Sequence, residues 1–176
     1  MPSILSHPAV PLALGLALGQ RIIPPRLLIV GLVASVLPDL DVLAFRLGIP
    51  YAHSLGHRGA SHSMVFALFL GLLALAFAPH LHASRKAAFL FVFVAAVSHG
   101  LLDMLTNGGL GVALAWPASD SRFFFPFQVI EVSPLSLRRF FSPKGTAVML
   151  SELLWVWLPS VGIGIAILLM RRKKAL

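Results

Sequence analysis

Long apolar runs broken by short polar clusters dominate the chain. The runs cover about 8–20, 26–37 with an extension to 47, 62–79, 87–106 and 147–170. A helix needs ~20 predominantly apolar residues to cross a hydrocarbon core ~30 Å thick. The spacing therefore predicts an all-α, polytopic transmembrane helix bundle of about five spans, the first two short. Pro24-Pro25 punctuates the first connection, Pro38 interrupts the second run just before Asp39, and Pro79 closes the third. Pro159 with Gly162 and Gly164 predicts a kink or a close helix contact in the fifth. Residues 107–146 mix prolines and phenylalanines without a clean period, and are expected to form an interfacial segment between spans four and five. No internal repeat divides the sequence, so residues 1–176 are read as a single integral membrane domain.

Composition narrows the class. With 58% hydrophobic and 11% charged residues and a mean hydropathy of +0.91, the chain is too apolar for an ordinary soluble domain. A formal charge of +8 would suggest nucleic acid in a soluble protein. Here the basic residues sit mainly at the ends of apolar runs, where they act as topology signals and contacts to anionic lipid, and no nucleic-acid partner is expected. The absence of cysteine excludes disulfides and thiolate metal sites. The start Met1-Pro2-Ser3-Ile4-Leu5-Ser6-His7 has no basic n-region, so no cleaved signal peptide is expected.

Charge also predicts orientation. The connections 1–2 and 3–4 and the C-terminal tail must share one side, and they hold Arg21, Arg26, Arg85, Lys86, Arg171, Arg172, Lys173 and Lys174 in short segments. That side is expected to be cytoplasmic. The 48–61 loop and the 107–146 segment carry more dispersed charge and are expected outside, in the periplasm of a Gram-negative host.

The polar residues within the runs follow the same division. His7 lies at the outer end of span one, Asp39 and Asp41 at the outer end of span two, His57 and His62 before span three, and His99 and Asp103 at the outer end of span four. The i,i+4 spacing of His99 and Asp103 puts both on one helical face. Each strongly polar group inside a membrane helix costs roughly 2.5–3.5 kcal/mol on insertion scales, so such residues usually have a function and a partner. The five-residue step from His57 to His62 does not fit one face, which places His57 in the loop and His62 at the helix start. Imidazole and carboxylate together hold zinc and similar divalent ions. His7, Asp39, His57, His62, His99 and Asp103 are the candidate metal ligands, and Asp39 and Asp41 the candidate catalytic carboxylates, Asp41 orienting a histidine or acting as base. Seven such residues exceed the needs of one tetrahedral ion, so one or two ions are expected, zinc first and manganese second. Arg58 and Arg122 are candidate phosphate contacts. His53, His80 and His82 are read as loop residues, the Phe123 to Phe127 run as an interfacial anchor, and Arg171 to Lys174 as a stop signal.

The order of these motifs resembles a known family. An N-terminal Ser6-His7, then Leu37-Pro38-Asp39-Leu40-Asp41, then His57-Arg58-Gly59-Ala60-Ser61-His62-Ser63, then Ser98-His99-Gly100-Leu101-Leu102-Asp103 with Thr106, is similar to the YdjM-type membrane-bound metal-dependent hydrolases. The resemblance covers roughly residues 3–130. It implies a bacterial inner-membrane protein and, through a distant similarity to zinc-dependent phospholipase C and P1-type nucleases, whose His-x-x-x-Asp/Glu pair His99 and Asp103 match, hydrolysis of a phosphoester. The expected substrate is a membrane lipid or lipid-linked compound, attacked by metal-activated water at an outward-facing site. Two rivals remain at this point: a metal-dependent lipid amide or ester hydrolase, and a non-enzymatic metal or proton transporter using the same residues. The oligomeric state is not predicted.

Overall fold

The computed structural model describes residues 1–134 and 136–173; Lys174 of the basic tail lies outside them. Among these residues the fold is helical, with two isolated β-bridges and no strand. Helix α1 is Ala9–Leu18. Helix α2, Pro25–Ala34, opens with proline at a first-turn position, where its missing N–H costs nothing. It runs through a 3₁₀ turn, Leu37–Val42, into the short helix α3, Leu43–Arg46. Helix α4 is Met64–Ala76, capped by the Ser63 hydroxyl accepting from the Phe66 N–H at 3.1 Å. Helix α5 is Arg85–Met104, capped in the same way by Ser84. After an irregular segment come α6, Leu137–Phe140, and α7, Pro143–Glu152, then a π-turn, Leu153–Trp157, and α8, Leu158–Lys173.

Three stretches are long and apolar enough to cross a membrane: Pro25–Arg46, Arg85–Met104 and Pro143–Lys173, of 22, 20 and 31 residues. The other two apolar helices, α1 and α4, have 10 and 13 residues. At 1.5 Å per residue they cover only ~15 and ~20 Å of a ~30 Å core. Of the kink or close contact expected around Pro159, Gly164 shows the close contact, since a Cβ there would lie 3.2 Å from the Ala13 carbonyl oxygen of α1, and a π-turn, Leu153–Trp157, stands just before the proline.

Helix α5 is the centre of the bundle, packed against α4, α2 and α1. Its buried side, Ala88, Phe91, Val92, Ala95 and Ala96, faces Leu27 of α2 and Ala67, Leu70 and Ala74 of α4. Small residues let the backbones approach, which is how helices gain packing contacts where lipid removes the hydrophobic drive between them. Gly31 shows how closely: a Cβ there would lie 2.3 Å from the Phe91 ring. The outer surface carries Phe69, Leu72, Leu154, Trp155, Leu158, Ile163, Ile165 and Met170 about half exposed, an apolar belt suited to acyl chains rather than water.

The expected clustering of the basic connections is visible at one end of the bundle. Arg26 donates to the His80 carbonyl at 3.1 Å and touches the His82 ring at 3.0 Å, and Arg171 donates to the Ala17 carbonyl at 2.5 Å. At the other end the 106–134 segment forms an irregular cap. Asn107 donates to the Ile130 carbonyl at 3.0 Å, Val112 and Phe123 exchange backbone hydrogen bonds at 3.0 and 2.9 Å, and Val112, Ala113 and Ile130 are buried beneath it.

Gly31→Val should overfill the α2–α5 contact and lower stability by about 1–3 kcal/mol, read as a lower Tm in detergent by circular dichroism. An unchanged Tm would contradict the packing described.

Candidate metal centre

Helix α5 supplies two groups directly. His99 and Asp103, one turn apart, both point inward and are fully buried. The 3₁₀ turn after Pro38 supplies two more. Its tighter winding turns Asp39 and Asp41 to different sides, Asp39 toward His99 and Asp41 toward the 57–62 loop. That loop is folded tightly on itself: a Cβ on Gly59 would lie 2.1 Å from the Ser54 carbonyl oxygen, so only glycine fits. Its neighbour Arg58 takes a φ of +62°, and the following 3₁₀ turn, Ala60–His62, delivers His62 to the centre. His7, just before α1, enters from the fourth side and stacks on the His99 ring at 3.7 Å between centroids.

The donor atoms converge. His62 Nε2 and His99 Nε2 are 3.0 Å apart, His62 Nε2 is 3.2 Å from Asp103 Oδ2, His99 Nε2 is 3.5 Å from Asp39 Oδ1, and His99 Nε2 is 4.0 Å from Asp103 Oδ2. His7 Nε2 stands 3.6 Å from Asp39 Oδ2 and 3.8 Å from Asp103 Oδ1. Four residues, Asp39, His62, His99 and Asp103, each place one ligand atom within 4.8 Å of all the others.

Neighbouring groups settle which ring nitrogens face the centre. His99 donates its Nδ1–H to the Ser35 carbonyl at 2.7 Å, and the Nδ1 of His62 lies 3.1 Å from Asp41 Oδ2. With both Nδ1 atoms so engaged, two Nε2 lone pairs face each other beside two carboxylates. At that separation either a shared proton or a cation lies between them. Both ring nitrogens of His7 and all four carboxylate oxygens of Asp39 and Asp103 are buried without a hydrogen-bond partner. Buried polar atoms are rarely left in this state. Zinc–ligand bonds of about 2.0–2.2 Å put neighbouring donors of a tetrahedron about 3.3–3.6 Å apart, close to the separations found, so the residues fit a divalent ion. The His7 ring, fully buried and with neither nitrogen hydrogen-bonded, has a nitrogen available to a ligand.

The remaining candidates lie around this group. Asp41 accepts from the His57 Nδ1–H at 2.5 Å, the Ser61 hydroxyl at 2.6 Å and the Arg58 backbone N–H at 3.0 Å. His57 is thus brought to Asp41, outside the four-residue group. Arg58 is fully buried, its Nε 3.0 Å from Asp103 Oδ2 and off-axis for a hydrogen bond, while its terminal nitrogens donate to the Gly108 carbonyl and the Thr106 hydroxyl, each at 2.8 Å. Gly109, at a φ of +92°, makes room for it: a Cβ there would lie 2.9 Å from the guanidinium. Arg122 donates to the carbonyls of His57, Tyr51 and His53 at 3.0, 3.1 and 3.0 Å, fastening the cap to the histidine loop. Both guanidinium groups are spent on the protein.

Glu152 has no part in the sequence reading. It is 3% exposed at the end of α7, where it accepts from the Ser3 backbone N–H, from the Ser3 hydroxyl at 2.6 Å and from the Ser6 hydroxyl at 2.7 Å. The Trp157 indole N–H donates to the same Ser6 hydroxyl at 3.2 Å. This cluster holds the segment that presents His7. One signal could have found it: Glu152 is the one acidic residue within the fifth apolar run.

Comparison with known proteins shows the family. Residues 1–175 match the family model described as YdjM inner membrane protein. The chain is 48% identical over 162 residues to the inner membrane protein YbcI of Escherichia coli (strain K12), covering 92% of this chain and 94% of that protein. No solved structure matches it.

Arg58→Met should strip the Asp103 carboxylate of its buried guanidinium partner and cost about 3–5 kcal/mol of stability in the metal-free protein, measured by chemical unfolding in mixed micelles. The double variant Arg58→Met/Asp103→Leu should lose clearly less than the sum of the two single changes. Additive losses would show that the two side chains are not coupled.

Proposed function

This chain belongs to the YdjM family of inner membrane proteins, and within that family we propose that it is an integral membrane metal-dependent hydrolase acting on a phosphoester of a lipid or lipid-linked substrate. The observation that carries the reading is the set of unpartnered buried atoms on His7, Asp39 and Asp103 beside the facing Nε2 atoms of His62 and His99. A transporter would need polar groups through the depth of the membrane, and here they gather at one end of the bundle.

In this reading His62, His99, Asp39 and Asp103 would hold a divalent ion, zinc or else manganese, and His7, beside Asp39 and Asp103, would be a further ligand of that ion or of a second one. When bound, such an ion supplies Lewis acidity to a phosphoryl oxygen and makes water nucleophilic at neutral pH. Asp41 orients: it fixes the His62 tautomer and holds His57, and the Arg58 backbone N–H and the Ser61 hydroxyl engage its oxygens as well. Asp39, with no hydrogen-bond donor of its own and bordering a cavity, is the carboxylate placed to take a proton from an entering water. Arg58 is a positioning residue that offsets the Asp103 charge, and Arg122 acts on the site only through the cap it fastens. The resemblance to phosphoester-cleaving zinc enzymes favours phosphate over amide or carboxylic ester.

The same reading gives a multi-pass protein of five membrane segments, α1 and α4 completing their passage with their flanking turns. The end bearing Arg21, Arg26, Arg85, Lys86 and Arg171–Lys173 lies in the cytoplasm, and the His/Asp centre faces the periplasm at headgroup depth.

Elemental analysis of detergent-purified protein tests the proposal. The wild type should carry about one to two equivalents of zinc or manganese. Asp103→Ala should lose them, and Asp41→Asn should weaken metal affinity about 10–100-fold while leaving the fold intact. The wild type should release phosphate-containing product from lipid vesicles, and Asp103→Ala should not. Folded wild type that takes up neither metal when reconstituted would sink the reading.

A further inference from the structure

One cavity connects the His/Asp centre with the lipid-facing surface. It has a volume of about 550 Å³ and is walled by Ile4, Leu5, Leu40, Val42, Leu43 and Phe141, with Asp39 on its lining. Its size is within the ~300–1,000 Å³ common for ligand pockets. The groove between α2 and α4 offers a contrast: its volume is about 440 Å³, and it is lined by residues such as Val30, Leu70 and Phe77 and by no residue of the centre.

The position of the cavity identifies its occupant. Leu40 and Leu43 belong to the 22-residue stretch long and apolar enough to cross a membrane, and each is 57% exposed. Phe141, 84% exposed, lines the same cavity. A mouth framed by exposed leucine and phenylalanine disfavours water and opens sideways onto acyl chains. The polar end, Asp39, is almost closed to solvent and already part of the metal-ligand group. Charge adds a preference. Helix α6, which contributes Phe140 to the cavity, carries the exposed Arg138 and Arg139 in the two positions before it, outside the lining but beside the rim, where they complement the charge of an anionic headgroup.

We infer that this lateral cleft seats a membrane phospholipid with an anionic headgroup, its phosphate at the Asp39 end and one acyl chain leaving through the mouth between Leu43 and Phe141. The inference rests on the hydrolase reading for its purpose, since it names the substrate class and the route by which it enters. The route runs through the cleft beside α6, whereas the 106–131 cap closes over the histidine loop and is fastened there by Arg122.

Native mass spectrometry of the full-length chain, released from detergent and titrated with dioleoyl phosphatidylglycerol or dioleoyl phosphatidylcholine, tests this. Wild type should bind one phosphatidylglycerol saturably and prefer it to phosphatidylcholine. Val42→Trp and Leu43→Trp, which fill the cleft, should each weaken that binding about tenfold, while Leu73→Trp in the α2–α4 groove leaves it unchanged. Arg138→Ala with Arg139→Ala should abolish the preference for phosphatidylglycerol. Metal content measured on the same samples separates the two claims. Metal bound with no saturable lipid, or cleft variants that bind lipid as wild type does, would overturn the cleft and leave the hydrolase reading standing. Saturable lipid that the cleft variants lose, in a protein that takes up no metal, would support the cleft and overturn the hydrolase reading.

Discussion

A carboxylate shut away from bulk solvent sets the terms for the rest of this molecule. Asp103 is fully buried within a helix, beside His7, His62 and His99, and the equally buried Arg58 and the Met1 amine, 3.8 Å from its Oδ1, face it as countercharges. Burying an ionised carboxylate is tolerable only when opposite charge and hydrogen bonds surround it. That requirement explains features that would otherwise look unrelated. Arg58 takes an αL conformation to reach inward, Gly109 makes room for its guanidinium, and the Thr106 hydroxyl and Gly108 carbonyl take up its remaining donors. The loop and the cap are shaped around a charge on helix α5.

The architecture divides labour between rigid and adaptable parts. Helix α5, packed on three sides, fixes His99 and Asp103 as a unit. The other groups arrive on short irregular pieces, a 3₁₀ turn for Asp39 and Asp41, a glycine-tightened loop for His57 and His62, and an N-terminal segment for His7. Each piece is tied by hydrogen bonds to something outside the centre: Asp41 to the histidine loop, Arg122 to three loop carbonyls, and Glu152 to Ser3 and Ser6. Groups brought this close together need such outer support, because irregular backbone does not hold position unaided. The π-turn after Glu152 belongs to the same support, since Trp157 at its end reaches back to Ser6.

Much of this was legible in the residues. The apolar runs and their proline breaks marked the helices, the basic ends of the runs marked one pole of the bundle, and the i,i+4 spacing of His99 and Asp103 placed both on a buried face. These features are local or periodic, and the physics that produces them acts within a turn or two of helix. The placement of His57 in a loop and His62 at a helix start followed from spacing for the same reason. The lengths of α1 and α4 were less legible, because hydropathy does not mark where a helix unwinds. The apolar residues 77–79 extend the third run past the end of α4 at Ala76.

Beyond that, the sequence determined which chemistry was available, imidazoles, carboxylates and guanidinium groups concentrated toward one pole, because composition and helical period are properties of the chain alone. Which atoms meet was decided by tertiary structure. Nothing in the order of residues tells Asp39 from Asp41, yet the 3₁₀ winding sends one to the centre and the other to the histidines' outer nitrogens. Nothing marks Arg58 and Arg122 as inward-facing, because an arginine's long side chain goes wherever charge and carbonyls accumulate. The role of Glu152 depends on Ser3, 149 residues away in the chain. Contacts of that kind come from how helices and loops pack, and a buried charge satisfied from a distant segment leaves no periodic trace at either end.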